Sequence, residues 1–317
     1  MVTIAFVFPG QGSQSVGMGA AIAASSPAAS RVFAEADAAL GEPLSRLAWN
    51  GPAGALDLTV NAQPALVATS IAHLAAIRER RDAAGLAPLE PVFAAGHSMG
   101  QYSALVAAGA LPLADAIRLV RERGERMQAS GAGRPGAMAA VIGLDEARLP
   151  EVVAAGAAHG IITVANRNSP GQVVLSGERP AVEAAVAAAK AAGARRAIEL
   201  PVSVAAHSPL MREAADGMAR TLAGVTFSDP HPALIANADA HPIDSADGAR
   251  AELVEHLTRG VDWVAAVERM RDTGVDTFIE VGPGRVLTGL IRRIAPDATA
   301  LATDDPSGPG GLADPDL

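Results

Sequence analysis

The sequence predicts an α/β fold: a large domain with a parallel central sheet, into which a smaller βαββαβ unit is inserted. Three observations carry this. Half of the 317 residues are hydrophobic but only 3% are aromatic, which suits close packing of helices on a sheet by alanine and branched aliphatic side chains. Two short apolar runs, residues 2–8 and 91–95, have the length and character of central parallel strands covered on both faces. The second run leads into Gly96-His97-Ser98-Met99-Gly100 and then a helix-forming segment, 101–108, closed by Gly109.

That order of strand, tight turn and helix is the setting of a nucleophile elbow, which makes the large domain α/β-hydrolase-like. A serine on such a turn is held in a strained, exposed position, and glycines two before and two after it let strand and helix pack closely. The Met99 amide that follows points from a helix N-terminus toward the place where an oxyanion develops, so nucleophile and electrophilic donor come from adjacent residues. A structural turn serine is the competing reading of Ser98. The strand-turn-helix context favours the catalytic one.

Residues 2–8 feed the loop Pro9-Gly10-Gln11-Gly12-Ser13-Gln14. Its glycines match neither the phosphate-loop nor the dinucleotide spacing. A loop at the C-terminal end of a first parallel strand is nonetheless where α/β sheets place ligand contacts, so Gln11 is either such a contact or a turn glutamine. Residues 20–81 read mostly as helices with short breaks, and His73 within them is read as structural. Residues 113–127 form a clear amphipathic helix on which Ala116, Val120, Arg123 and Met127 share the apolar face. A guanidinium there needs an anion, because desolvating it alone costs several kcal/mol. Periodicity leaves open whether a carboxylate of the fold or of a substrate meets Arg123.

The next stretch reads, in order, as strand 137–144, helix 146–155, strands 161–166 and 173–177, helix 181–192 and strand 197–202. That is the ferredoxin-like βαββαβ pattern, entered through a glycine-rich hinge at 130–136. The run Asn166-Arg167-Asn168-Ser169-Pro170-Gly171 reads as a turn between its central strands. The chain then returns through Val204-Ala205-Ala206-His207-Ser208-Pro209, where Ser208 and Pro209 suit a helix start. His207, just outside it, is kept neutral by the helix dipole and can act as a base. His97, beside Ser98, is read as structural. Further elements are expected as strand 233–237, helices 246–257 and 263–272, strand 275–281, and a helix running to Ile294 after Gly282-Pro283-Gly284. The boundaries expected are 1–132 and 204–303 for the large domain, 133–203 for the inserted unit, and a disordered tail at 304–317.

A net charge of −9 argues against nucleic acid or an anionic membrane as the main partner. With no cysteine, disulfides and thiol chemistry are excluded, and the sequence gives no sign of a metal or other cofactor. The first residues lack the basic region of a signal peptide, and Pro9-Gly10 ends the apolar run too early for a membrane span, so a soluble cytoplasmic protein is expected.

With these residues in order, the chain resembles the malonyl-CoA:acyl-carrier-protein transacylases of fatty-acid synthesis and the acyltransferases of polyketide synthases over nearly its whole length. The resemblance rests on Phe8-Pro9-Gly10-Gln11-Gly12-Ser13-Gln14, on Gly96 to Ala104, on the helix bearing Arg123, on Asn166 to Gln172, on Pro201 to Val204 with His207, and on Glu280-Val281-Gly282-Pro283-Gly284. It implies that Ser98 takes a malonyl group from malonyl-CoA and passes it to the phosphopantetheine thiol of an acyl carrier protein in a ping-pong cycle. By the same resemblance His207 is the base and then the acid, Arg123 clamps the malonyl carboxylate, and the amides of Gln11 and Met99 form the oxyanion hole. Asn168 would help order the pocket. A monomer is expected.

Gln101 stands where the family usually has glutamate, Met99 where leucine is common, and Ala205-Ala206 occupy positions that vary with the acyl group. His256 replaces a glutamine whose carbonyl orients the catalytic histidine, and it is counted with Arg123 and Asn168 among the substrate-binding residues. Rival readings are a serine hydrolase that clears acyl groups from carrier proteins, a non-catalytic docking module, and a transacylase for a substituted malonyl group such as methylmalonyl. Arg123 argues against the first. The presence of both Ser98 and His207 argues against the second.

Overall fold

The computed structural model describes residues 2–133, 135–202 and 204–304. The chain runs β1 (Ile4–Phe8), α1 (Ala20–Ser25), α2 (Pro27–Leu40), α3 (Leu44–Asn50), α4 (Ala53–Leu56), α5 (Thr59–Ala83), β2 (Phe93–Gly96), α6 (Gly100–Ala107) and α7 (Leu113–Gly133). There follow β3 (Gly136–Ile142), α8 (Leu149–Ala157), β4 (Ile162–Ser169), β5 (Gln172–Glu178), α9 (Arg179–Ala191) and β6 (Arg196–Glu199). The last part comprises α10 (Arg212–Leu222), β7 (Ala233–Ile235), β8 (Pro242–Ile243), α11 (Ala246–Glu255), β9 (Val261–Asp262), α12 (Trp263–Asp272), β10 (Thr277–Glu280), α13 (Val286–Ile294) and β11 (Thr299–Ala302).

Two mixed sheets organise these elements. The larger has the order β11-β10-β1-β2-β7-β8 and is parallel throughout except at its last strand. All five residues of β1 are buried, as an unbroken apolar run between two parallel neighbours requires. On one face Phe6, Phe8 and Ala94 pack with the buried faces of α2, α5, α6 and α7; on the other Ala5, Val7 and Phe278 pack with α12 and α13. By length and composition α5 could cross a membrane, but most of its apolar stretch is buried here as the central helix of the core. The smaller sheet has the order β6-β3-β5-β4-β9, antiparallel from β6 to β4, with β9 joining parallel to β4.

Several expectations change. α7 runs on to Gly133, so the first residues of the expected hinge are helical. β4 continues to Ser169 through register shifts between Val164 and Asn166 and between Arg167 and Ser169. Asn166 and Asn168 therefore lie on a strand and only Pro170-Gly171 turn: the bulges let polar residues continue a ladder that their type alone argued against. α11 stops at Glu255, which leaves His256 as its C-cap. The short strands β8, β9 and β11 are additions, stabilised by pairing that no local pattern reveals. Of the tail expected to be disordered, 304–317, Asp304 is placed in a turn and residues 305–317 lie outside the described residues.

Candidate active site

The elbow forms because neither of its glycines has room for a side chain. A Cβ on Gly96 would stand 2.0 Å from the Gln101 amide nitrogen, and one on Gly100 would stand 2.3 Å from the Phe8 carbonyl oxygen. Between them Ser98 is forced into the left-handed region, at φ 52°. The buried Gln101 side chain locks the turn: its Oε1 accepts the Gly96 N–H at 2.9 Å and its Nε2 donates to the Ile235 carbonyl at 3.1 Å. A carboxylate could accept the first bond but could not donate the second, so an amide suits this position on both sides.

Ser98 Oγ lies 2.8 Å from His207 Nε2. On the other edge of that ring, Nδ1–H donates to the His256 carbonyl at 2.5 Å, with the Arg259 carbonyl at 3.2 Å. Two carbonyls on Nδ1 fix the proton there and leave Nε2 as the acceptor facing the serine hydroxyl. The ring is buried, and burial followed by the nearby Arg123 charge lowers its pKa to about 3. The expected helix start is present, Ser208 capping the turn Pro209–Met211 that leads into α10, and burial and the Arg123 charge are further reasons for a neutral ring, which the sequence did not show.

Arg123 comes to the same point from α7. Only 1% of it is exposed. Nη1 donates to Gln63 Oε1 at 2.7 Å and Nη2 to Ser98 Oγ at 3.0 Å, while Nε has no partner. Burial lowers its pKa to about 10, which still leaves it charged at neutral pH. Among the described residues it makes no ion pair, so the fold supplies no carboxylate to answer this charge. Its free donors sit beside the serine.

The loop carrying Gln11 folds over the elbow. The His97 N–H donates to the Phe8 carbonyl at 3.0 Å, and a Cβ on Gly10 would stand 2.5 Å from the His97 carbonyl oxygen. The Gln11 side chain turns away and its Nε2 donates to Thr59 Oγ1 at 3.2 Å. No protein acceptor among the described residues takes the main-chain N–H of Met99 or of Gln11. Asn168 reaches the elbow indirectly: His97 Nε2–H donates to its Oδ1 at 2.9 Å, and the His97 ring packs against Trp263 at 5.6 Å between centroids. His97 thereby joins the smaller sheet to the elbow.

His256 meets His207 through its carbonyl. Its own ring is fully buried, 6.2 Å from the His207 ring and 6.4 Å from that of Tyr102, with neither nitrogen hydrogen-bonded. Burial, then the Arg123 charge, holds its pKa well below the usual value. Two buried residues escaped the sequence reading. The Ser98 N–H donates to Asn237 Oδ1 at 2.9 Å, and Asn237 donates through Nδ2 and its main-chain nitrogen to Glu252 Oε1 at 2.9 and 2.8 Å. A polar residue just past the end of a parallel strand was the available signal for Asn237. Glu252, one helical turn before His256, had none.

These buried imidazoles predict how stability depends on pH. His73 is held at about 4 and His207 at about 3, in both cases chiefly by burial, whereas an unfolded histidine titrates near 6.5. Below pH 6.5 the unfolded chain therefore takes up protons that the folded chain refuses, so this stability is complete above pH 6.5 and is lost as pH falls. At pH 5 each ring has cost roughly 2 kcal/mol. The urea midpoint is expected to fall steadily from pH 7 to pH 5, and His73→Leu to flatten that slope by about one proton. A slope that His73→Leu leaves unchanged would show that this ring is not buried neutral, a comparison in which the opposing slope from Glu252 and Glu280, whose carboxyl pKa values burial raises, cancels.

A serine on a strained strand-turn-helix elbow, a neutral histidine on its Oγ and unengaged main-chain N–H groups beside it, all in an α/β fold, define the class of serine-based acyl-transfer proteins. The chain belongs to the acyl transferase domain family, whose model matches residues 5–302. It is an acyltransferase. A malonyl CoA-acyl carrier protein transacylase of Escherichia coli (strain K12) is 47% identical over 307 residues, 97% of either chain. The solved malonyl-CoA:acyl carrier protein transacylase of Xanthomonas oryzae pv. oryzae KACC10331 superposes with a TM-score of 0.93 at 41% identity, over 99% of this chain and 98% of its own. A malonyl-transacylase solved in complex with a type II PKS acyl-carrier protein gives a TM-score of 0.89 at 43% identity, over 96% of each chain.

Proposed function

We propose that this chain transfers a malonyl group from malonyl-CoA to the phosphopantetheine thiol of an acyl carrier protein, in a ping-pong cycle through an ester on Ser98. The observation that carries the reading is the buried, charged Arg123 with no carboxylate of its own and Nη2 3.0 Å from the Ser98 hydroxyl. A guanidinium so placed is complementary to an acyl group that ends in a free carboxylate, and it would hold that carboxylate by a bidentate pair. The names of the relatives above support the same substrate and the same acceptor.

In the first half-reaction His207 Nε2 takes the Ser98 proton as Oγ attacks the thioester carbonyl. The oxyanion is met by the N–H groups of Met99 and Gln11. The carbon–sulfur bond then breaks, and the imidazolium returns its proton to the departing CoA thiolate. In the second half-reaction His207 takes the proton of the carrier thiol, the thiolate attacks the malonyl ester, and the proton passes back to Ser98. The His256 carbonyl holds His207 in the required tautomer throughout. Asn168 orders the pocket through His97.

In this reading residues 1–132 and 204–303 form one α/β-hydrolase-like domain and residues 133–203 a ferredoxin-like insertion, since β3 to β6 with α8 and α9 run βαββαβ in the spatial order β6-β3-β5-β4. The cleft between them takes both thioesters. All the proposed site residues come from one chain, so a monomer suffices, and the work is cytoplasmic.

The test is intact-protein mass spectrometry after brief mixing with malonyl-CoA, methylmalonyl-CoA or acetyl-CoA, followed by carrier protein bearing its phosphopantetheine arm. Malonyl is expected to load on Ser98 and to move to the carrier faster than it is lost to water. Loss to water as the main fate would make the protein a hydrolase. Faster loading of methylmalonyl would name a substituted malonyl group as the substrate.

A further inference from the structure

The loop that carries Gln11 is held from behind by the last described residues of the chain. Past β1, Pro9-Gly10 cover the elbow, and Pro9 in turn rests on Gly282: a Cβ there would stand 2.9 Å from Pro9 Cγ and 2.4 Å from Ser70 Oγ. Gly282 has φ 141°, which a residue with a side chain rarely adopts. The turn it opens is clasped by residues 303 and 304. The Gly282 N–H donates to Thr303 Oγ1 at 3.1 Å, the Gly284 N–H to Asp304 Oδ2 at 2.7 Å, and the Thr303 N–H to the Glu280 carbonyl at 2.9 Å.

The clasp is anchored in the core. Thr303 Oγ1 lies 2.8 Å from Nδ1 of His73, a buried residue on α5. Oγ1 accepts the Gly282 N–H and also lies 3.4 Å from the Gly282 carbonyl, so its proton can go to that carbonyl or to His73 Nδ1, and the contact with His73 holds in either direction. Burial keeps the His73 ring neutral, with Asp304 opposing this and Arg80 reinforcing it. A continuous path of contacts therefore runs from α5 through His73, Thr303 and Gly282 to Pro9, and so to the residue before Gln11.

We propose that Thr303 and His73 are positioning residues for acyl transfer: they pin the Gly282-Pro283-Gly284 turn against Pro9 and thereby fix the direction of the Gln11 N–H. The inference rests on the reading of that N–H as an oxyanion donor. Losing one such donor costs about 10²–10³ in kcat, and a displaced donor costs part of that.

The experiment is stopped-flow quench of malonyl loading onto the full chain, with wild type, Thr303→Val, Thr303→Ser and His73→Phe, each checked for its melting temperature. Thr303→Val is expected to lower the loading rate at saturating malonyl-CoA by about tenfold, with half-saturation within about twofold of wild type. Thr303→Ser restores the rate, and His73→Phe reproduces the loss. Failure of the wild type to load would overturn the underlying reading instead. If the wild type loads and Thr303→Val lowers only the melting temperature, or if serine fails to rescue, the clasp is structural and the inference falls. Should Thr303→Val not fold, His73→Phe decides alone: a wild-type rate sinks the proposal.

Discussion

Replacing Ser98 by alanine is expected to abolish the malonyl adduct and to reduce transfer to the carrier protein by at least about a thousandfold, because among the described residues no other hydroxyl is placed on His207 Nε2. His207→Ala is expected to lower the loading rate by about 10²–10⁴, the range over which a positioned base contributes. Half-saturation by malonyl-CoA should change far less, since Arg123 remains in place. The backbone at the elbow adds an effect on stability. Ser98 is held at φ 52°, a conformation that glycine adopts without strain, so Ser98→Gly is expected to be inactive yet to melt no lower than Ser98→Ala and about 1 kcal/mol above it. Intact mass after mixing gives the first result and calorimetry the second. An adduct on Ser98→Ala would move the nucleophile elsewhere, and a lower melting point for Ser98→Gly than for Ser98→Ala would show that the elbow stores no strain.

What the sequence made legible follows from how local each signal is. The elbow is written in five consecutive residues, and the steric reason for its glycines lies within the same turn or against β1. Arg123 could be singled out because a helix has one period, and a charge on an apolar face breaks it. Its partners could not be read: Gln63 lies on α5 and Ser98 on the elbow, 60 and 25 residues away in the chain. His207 was found from the signs of a helix start, yet its neutrality comes from burial and from Arg123, facts of tertiary packing that no cap records. The same holds for Asn237 and Glu252, which support the Ser98 amide from a distant turn and helix. Polar strands were the weakest point, because the extension of β4 through Asn168 depends on bulges and on β5 and β9 beside it.

Arg123 carries the largest expected effect on specificity. In the free protein its guanidinium is desolvated and, among the described residues, meets only neutral acceptors, Gln63 Oε1 and Ser98 Oγ, so the charge is a standing cost that a substrate carboxylate offsets. Removing one side of a buried charge pair loses about 2–5 kcal/mol, equivalent to a factor of about 30 to several thousand. Arg123→Ala is therefore expected to slow malonyl loading by about 10²–10³ while leaving acetyl loading within about tenfold, so that the preference between the two esters collapses. Arg123→Lys keeps a charge but not the fork, and should fall between. Stability should not drop in proportion, because the desolvation cost disappears with the charge. There is also a consequence for His207, whose pKa the Arg123 charge helps to depress: without it the imidazole moves back toward its ordinary value, and the acid limb of loading shifts to higher pH. The decisive measurement is the ratio of malonyl to acetyl loading rates across pH for the wild type and Arg123→Ala. A ratio that survives the substitution would mean that Arg123 acts on Ser98 and His207 alone, and the substrate carboxylate would then need another cation.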